Sequence, residues 1–535
     1  MSKCCKGGGP CSCTGKAKDD KSSMDHSTST TSLSGSASST DRENTEGDGL
    51  RQRGVKRVVY TDSDHTKDVQ CYDTVIIGMG AAGCTAAAEL CKAGRSVLGI
   101  EADSQVGGRV ATVPLGDGVV ELGAEWIHGE TPSKLYEIAS VNNKEIVAQN
   151  ISFLVYRSDG TMADEKIMNE LINFTLNCVD DPPDEPEPLG EYLTQRIISV
   201  VEDQFPELDD DPDFLEQFLS FMDLVIDNYE SSNSWNDVTT HSRYEDLVGN
   251  LHLSWGSQGY CTLFEMLLDN KKEGSGLENL ELKVDTVVKT ISYPKNPEGK
   301  VEVICEDGSV YRAQNAIVTV SLGVLKEHYT TLFRPPLPDE KSAVIDAISF
   351  GVVDKIVLLF PCKWWPEGMS FFGFLWKEKD QYCMSREDEW VTKIFGASVP
   401  MGTQKVLTLW TSGRTAKVVE TLPNDVVKNK IMFLLRKFMG KNRAIPEPLE
   451  MLRSNWFLNP YTRGSYTYDN LLTPQNPLAR RILAEPLVDA SGTPRLLFAG
   501  EATHDLYFST VHGAMDTGYR EAKRLLGLKL IQCKL

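Results

Sequence analysis

Several things are scarce in this 535-residue chain, and each scarcity removes a class of function. The longest apolar-looking stretch, Val75 to Leu90, is interrupted by glycines, so no membrane-spanning helix is expected. The first 40 residues contain no apolar h-region, so no secretory signal peptide is expected either. Positive charge is short: 55 Lys and Arg face 76 Asp and Glu, for a formal charge of −21. Nucleic-acid binding needs a basic face, and that partner is therefore not expected. A negative surface instead suits a cationic substrate, which it would steer and concentrate. Cysteines number 13, but nine of them are scattered between Cys71 and Cys533 without metal-ligand spacing. They read as reduced, mostly buried thiols of an intracellular protein, with no metal site.

Residues 1 to 70 also lack apolar content. Ser, Thr, Gly, Asp and Lys dominate them, too polar to offset the entropy of ordering, and a disordered tail is expected. Cys4, Cys5, Cys11 and Cys13 open this tail and could bind a soft metal or accept lipid; a plain disordered leader is the simpler reading. At the other end, Cys533, Lys534 and Leu535 resemble the peroxisomal Ser-Lys-Leu address with cysteine in the serine position. Location is expected to be cytoplasmic or peroxisomal.

What is present centres on Asp73 to Arg109. An apolar β-branched run, Thr74 to Ile77, leads into Gly78, Gly80 and Gly83 in GxGxxG spacing and then into an alanine-rich helix. In this context the first glycine permits the turn, the second lets a pyrophosphate approach the backbone, and the third lets helix and strand pack closely. The helix N-terminus then faces an anion. Glu101 ends a second apolar run 18 residues beyond Gly83, where a carboxylate can accept ribose hydroxyls. Gly107, Gly108 and Arg109 deliver a guanidinium to the same end of the sheet, which favours FAD over NAD.

Downstream, VVELGAEWIHG (Val119 to Gly129) could lay backbone against a flat ring and present Trp126 and His128 beside it. Taken alone, His128 reads as a satisfied core histidine. Residues 131 to about 250 look mainly helical, with acidic proline-rich breaks at Asp180 to Pro188 and Glu207 to Asp213. The helix Asp213 to Glu230 carries an apolar face of Phe214, Phe218, Phe221, Leu224 and Val225 and ends in Asp227 and Glu230. Leu280 to Tyr293 reads as strands, with Val287 where a strand could touch an adenine. Glu302 to Lys326 reads as a hairpin around Asp307 and Gly308 followed by a buried strand. Gly351 to Phe360 puts Lys355 at the start of an apolar strand, where a lysine usually snorkels from an edge. Near the end, a strand Leu496 to Ala499 stops at Gly500 and Glu501, and a glycine-containing helix starts near Thr510. That repeats the strand, glycine and helix arrangement of the opening stretch.

These segments, together with VTVSLGVLK, GVVDKIVLLF, NPYTRGSYTY and LFAGEATHDLYFSTVHGA, resemble the flavin-dependent amine oxidases, and among them the animal spermine and N1-acetylpolyamine oxidases. The resemblance runs in order over roughly residues 72 to 528. It implies an α/β two-domain flavoprotein, monoamine-oxidase-like, with a Rossmann-like FAD-binding domain and a substrate-binding domain. The expected FAD-binding domain comprises residues 72–135, 253–330 and 450–528; the substrate-binding domain 136–252 and 331–449; the C-terminal tail 529–535.

By position, the resemblance assigns FAD to Gly78, Gly80, Ala82, Gly83, Glu101, Arg109, Val287, Gly500 and Glu501. Gly123, Ala124, Glu125 and Trp126 would lie along the flavin, with Trp456 and Val511 closing around it. Lys355 matches the family's lysine that holds a water near flavin N5, and His128 a histidine thought to contact the amine. Tyr466 with Tyr507 or Phe508 would form aromatic walls. Monoamine oxidases attach their flavin through a cysteine in the motif matching GSYTY; here that position is Ser465, so the FAD is expected to be non-covalent. The lysine-specific histone demethylases share the flavin motifs but carry a long helical insertion and an extra N-terminal domain, for which this chain has no room. The pattern is looser around Asp227 and Glu230, the carboxylates proposed for a distal ammonium.

The expected activity is oxidation of a C–N bond at a secondary amine of spermine, spermidine or their N1-acetyl forms. Oxygen is the second substrate, and an aminoaldehyde, a shorter amine and hydrogen peroxide are the products. The alternatives are a flavin oxidase for another amine, or a decayed FAD-binding protein whose cysteine-rich leader binds metal or anchors it.

Overall fold

The computed structural model describes residues 71–269 and 276–528. The leader with its four cysteines and the Cys533–Leu535 tripeptide lie outside the described residues.

The chain's β-branched runs pair into one nine-stranded sheet. Its parallel half places Cys71–Ile77 between Val97–Ile100 and Val310–Val318, with Leu280–Lys283 beyond Val97–Ile100. Buried parallel strands read as continuous apolar runs because both faces are covered, and VLGI and the VII end of the first strand do so. The nine-residue strand Val310–Val318 serves two partners on its other edge. Its first half pairs antiparallel with Val301–Cys305 around the Asp307–Gly308 turn, and its second half pairs parallel with Pro494–Phe498. Three distant pieces of the chain therefore end side by side at one edge of this sheet, which puts Gly78, Glu101 and Gly500 together. Ligands bind at the carboxyl ends of strands in such open sheets.

The alanine-rich helix Ala81–Lys92 and the last helix, Val511–Leu525, cover one face. Small residues let them touch: a Cβ on Gly518 would sit 2.1 Å from the Ala82 carbonyl oxygen, and one on Gly83 2.1 Å from the Gly78 carbonyl oxygen.

A second sheet has six strands, in the order Glu450–Arg453, Val353–Leu359, Val406–Ser412, Gly396–Ser398, Phe371–Leu375 and Phe153–Arg157. The last of these falls in the stretch read as mainly helical. Helices do occupy Lys134–Val141, Glu165–Val179, Leu189–Gln204 and Phe214–Glu230. FLVYR nevertheless pairs parallel with Phe371–Leu375, a partner no local pattern could reveal. In the helix Phe214–Glu230 the expected apolar face is buried at Phe214, Phe218, Phe221 and Val225 and half-buried at Leu224. Each fully buried large apolar side chain contributes roughly 1.5–3 kcal/mol. The strand Val353–Leu359 lies between two others and is buried throughout, so Lys355 is an interior residue and no snorkelling edge lysine.

Candidate functional site

The glycine turn after the first strand has the features of an anion cradle. Gly78 has φ +95°, a conformation that favours glycine. A Cβ on Gly80 would meet nothing closer than the Gly107 oxygen at 3.7 Å, so its side is open. The helix that begins at Ala81 has no side-chain cap and no acid in its first turn, which leaves its amides and the positive end of its dipole for a ligand. Gly500 repeats the arrangement, with φ +124° and only the Thr319 oxygen within 4 Å of where a Cβ would stand. The residues present thus fit a dinucleotide's phosphates.

Glu101 is buried and already oriented: its carboxylate accepts from the amides of Met79 at 2.7 Å and Asp103 at 3.0 Å. Burial raises its pKa and these amides oppose the rise. Val287 precedes the strand Val288–Ser292, and its neighbour Thr286 donates its amide to the Glu101 carbonyl at 2.9 Å. Arg109 donates through Nη1 to the Ser465 carbonyl at 2.7 Å and to Glu501 at 2.9 Å. The Glu501 carboxylate is spent entirely on protein, taking also the Thr467 hydroxyl and the Ser509 amide. Burial would raise its pKa, but Arg109 and Arg480 outweigh that and hold it low. A cavity of about 380 Å³ opens between Gly108, Val110 and Leu122 on one side and Ser454 and Trp456 on the other.

The second sheet reaches this region through one strand. Lys355, 3% exposed, extends Nζ to the carbonyls of Glu121 and Gly123, both at 2.9 Å, and to Glu125 Oε2 at 2.7 Å. Trp410, directly opposite Lys355 in the antiparallel pair, puts its ring face 4.5 Å from Nζ. Trp126 stacks on Trp410 at 5.7 Å and donates to Gln149. Ala124 donates its amide to the Arg109 carbonyl at 3.1 Å, and Gly123 is closed in by that carbonyl and by Trp456. Trp456 is fixed by its own bonds, its indole N–H to the Leu122 carbonyl and its amide to Asp354. Ser465 is buried and bonded both ways to the backbone of Val353.

His128 donates through Nδ1 to the Leu251 carbonyl at 2.8 Å, because a carbonyl can only accept. Neutral His128 therefore keeps its basic lone pair on Nε2. Burial lowers its pKa against the effect of that hydrogen bond. Burial likewise holds His252 and His504 at about 4 and His512 at about 3, so the imidazoles around His128 are neutral at pH 7. Tyr507 stacks on His504 at 4.9 Å and lies 5.4 Å from His512. Phe508 is turned inward instead, under the Arg480 guanidinium at 3.6 Å. Val511 follows the Thr510 cap at the start of the last helix.

Tyr466 donates its hydroxyl to the Asn228 carbonyl at 2.8 Å, and burial followed by the nearby Glu230 charge raises its pKa. The two carboxylates expected to bind a distal ammonium have different surroundings. Glu230 stands near Tyr466 and Tyr244, with its pKa pushed to about 7 by burial and Asp469 against the opposing Arg480. Asp227 is buried and takes the Ser232 hydroxyl at 2.7 Å, among Asp223 and Asp237, with its pKa also raised to about 7 by burial.

Trp410, His252 and His512 belong to this region without having been singled out from sequence. Trp410 is identified by strand register alone, whereas His512 sits inside the quoted LFAGEATHDLYFSTVHGA segment and could have been marked there.

The flavin containing amine oxidoreductase family model matches residues 81–526. The human peroxisomal N(1)-acetyl-spermine/spermidine oxidase is 31% identical over 493 residues, covering 85% of this chain and 94% of that protein. Its Bos taurus counterpart is 30% identical over 495 residues with the same coverage. An Arabidopsis thaliana lysine-specific histone demethylase 1 homolog is 28% identical over 481 residues, with 85% of this chain but 52% of that protein covered. No helix among the described residues is long and apolar enough to cross a membrane.

Proposed function

The chain belongs to the flavin containing amine oxidoreductase family, and from its place among these flavin-dependent amine oxidases we propose that it is a polyamine oxidase using non-covalent FAD. Its substrate would be spermine, spermidine or an N1-acetyl form. One observation carries this reading. Lys355 reaches from the second sheet to the Gly123 carbonyl, the neighbouring Ala124 amide bonds the Arg109 carbonyl, and Arg109 in turn bonds the Ser465 carbonyl next to Tyr466, so both sheets meet at the loop that follows the glycine cradle. The relatives that match over 94% of their own length carry polyamine names, while the histone demethylase relative is matched over 52%.

Gly78, Gly80, Gly83, Arg109 and Gly500 would hold the pyrophosphate, with Glu101 at the ribose and Val287 near the adenine. Gly123 to Trp126, Trp456 and Val511 would bound the ring. Ala82 would act through its backbone, and Glu501 by holding Arg109 in place. The flavin, when bound, supplies the two-electron acceptor and the reaction with oxygen. The protein's task is to present an amine in its neutral form with a reacting C–H in line. His128 Nε2 can take the proton from a substrate ammonium, and the surrounding neutral imidazoles add no positive charge. Tyr466 and Tyr507 wall the reacting carbon, with Phe508 packed behind. Glu230 is the better placed carboxylate for a distal ammonium, and Asp227 acts through Ser232. An aminoaldehyde, a shorter amine and hydrogen peroxide leave the site.

The test is peroxide release across spermine, spermidine, their N1-acetyl forms, monoamines and a methylated histone peptide. Peroxide with a polyamine is expected; release with the monoamines or peptide alone would overturn the substrate assignment. The same reading places the protein in the cytoplasm or peroxisome, with the Cys533–Leu535 tripeptide as the address. Deleting the tripeptide from a fluorescent fusion should then abolish peroxisomal targeting.

A further inference from the structure

Three consecutive amides of the loop after the strand Glu450–Arg453 end on two carboxylates. The Trp456 N–H donates to Asp354 Oδ1 at 3.2 Å, beside the Ser454 hydroxyl at 2.7 Å. The N–H groups of Phe457 and Leu458 donate to the two oxygens of Glu420, at 2.8 and 2.7 Å. Asp354 comes from the second sheet and Glu420 from the helix Gly413–Thr421, and both are buried. Gripping neighbouring amides draws the two carboxyls together, within hydrogen-bond reach of each other. Asp354 Oδ2 nevertheless has no donor among the described residues. An ionised carboxylate only accepts, and of two carboxylates sharing a buried site one keeps its proton. Arg453 faces both acids, its guanidinium held by the carbonyls of Val419 and Leu422 at 2.8 and 3.0 Å, and it balances one negative charge. Glu420 already uses both oxygens as acceptors, so the proton belongs on Asp354 Oδ2. Burial, and then Glu420, push the Asp354 carboxyl well above the usual carboxylate range.

We propose that Asp354 is a positioning residue, kept as a neutral acid that donates its Oδ2 hydrogen to Glu420, and that this pair sets Trp456 through the amides of its loop. Trp456 is the side chain that reaches across: its indole N–H donates to the Leu122 carbonyl at 3.1 Å, and a Cβ on Gly123 would sit 3.2 Å from its ring. The inference rests on the oxidase reading above, which puts residues 123–126 along the flavin and Trp456 beside it. Loss of the proton would leave two anions together under this loop. The hold on the flavin should then weaken in alkali.

The direct test is a neutron crystal structure of the flavin-loaded protein at pH 7. A hydrogen between Asp354 Oδ2 and Glu420 is expected; its absence, or a water donating to Oδ2, would overturn the proposal. The second test is flavin retention. Asp354→Ala should raise the Kd for FAD on the order of tenfold to a hundredfold, as expected for losing a hydrogen bond to a charged group. Asp354→Asn keeps Oδ1 and puts an N–H where the Oδ2 hydrogen stood, and should recover most of that loss. Glu420→Gln turns an amide NH2 against the Phe457 or Leu458 N–H and should bind FAD as weakly as Asp354→Ala. The folded protein holds the Asp354 proton to higher pH than the unfolded chain, so its contribution is full at acid pH and is lost as pH rises through the raised pKa. Flavin release from wild type should therefore quicken in alkali, with a flatter profile in Asp354→Asn. Parallel pH profiles, or an asparagine variant as weak as the alanine one, would refute this inference alone. A wild-type protein that binds no flavin at any pH would refute the oxidase reading itself.

Discussion

Replacing Lys355 with methionine fills nearly the same space and removes one buried charge. The consequence can be worked from its contacts. Glu125 would be left as a buried carboxylate with no donor from the described residues on either oxygen, and the carbonyls of Glu121 and Gly123 would lose their donor. Removing one partner of a buried ion pair costs about 3–5 kcal/mol, and two carbonyls without donors add about 1–3 kcal/mol each. Unfolding entropy of about 2.1 cal/mol/K per residue, over about 450 ordered residues, makes each kcal/mol worth roughly 1 °C in Tm. The single variant should therefore melt roughly 5–10 °C below wild type. Glu125→Gln leaves an uncompensated cation and should melt a few degrees lower as well. The double variant carries neither charge, and should melt higher than Lys355→Met alone, with a coupling energy of about 1–3 kcal/mol. The measurement is a melting curve at pH 8 on proteins matched for flavin content, since bound ligand itself shifts Tm. Lys355→Met should also keep its flavin and lose turnover. Single variants within 1 °C of wild type by that scale, or a double variant that melts at the sum of the two losses, would refute the argument that the pair is energetically coupled.

Gly83→Ala puts a Cβ 2.1 Å from the Gly78 carbonyl oxygen and should abolish flavin retention, whereas Gly94→Ala, at φ +76° with nothing within 4 Å, should cost only about 1 kcal/mol; equal flavin content in both would contradict the packing argument. Glu230 has a pKa of about 7, above its usual value, so the folded state binds its proton more readily than the unfolded chain does. Its contribution therefore favours folding at acid pH and is lost as pH rises through 7. Glu230→Gln should show a smaller fall in Tm between pH 5 and pH 8.5 by that linkage. Wild-type KM for a polyamine should fall as pH rises through about 7 and stay flat in the variant; matching slopes would remove Glu230 from the ammonium site. With serine at position 465 bonded to Val353, denaturation should release all flavin into the filtrate, and colour that stays with the precipitate would show a covalent link.

The nucleotide turn was legible in sequence because its physics is local. Gly78, Gly80, Gly83 and Glu101 lie within one strand, turn and helix unit, and each glycine meets the steric demand that its spacing implied. The shared edge of Gly78 and Gly500 was legible at one remove, from the repetition of the strand and glycine pattern. What sequence could not give was register. Trp410 faces Lys355 because two strands pair antiparallel, and Phe153–Arg157 is a strand because Phe371–Leu375 exists to receive it. Nor could spacing separate Asp227 from Glu230. They sit three residues apart on one helix, yet Ser232 engages the first while the second stands among the aromatic walls.

Successive residues of a strand point to opposite sides, and Val353–Leu359 uses this at Asp354 and Lys355. Asp354 takes the Ser454 hydroxyl and the Trp456 amide, and Lys355 takes the Glu121 to Glu125 turn. A single pleat thus fixes Trp456 and the Gly123 turn, which already touch, from two consecutive residues. Their mutual placement is set by covalent geometry in the middle of a sheet, so evolution of new amine preferences would have to work from the histidine and Glu230 side and leave that clamp untouched.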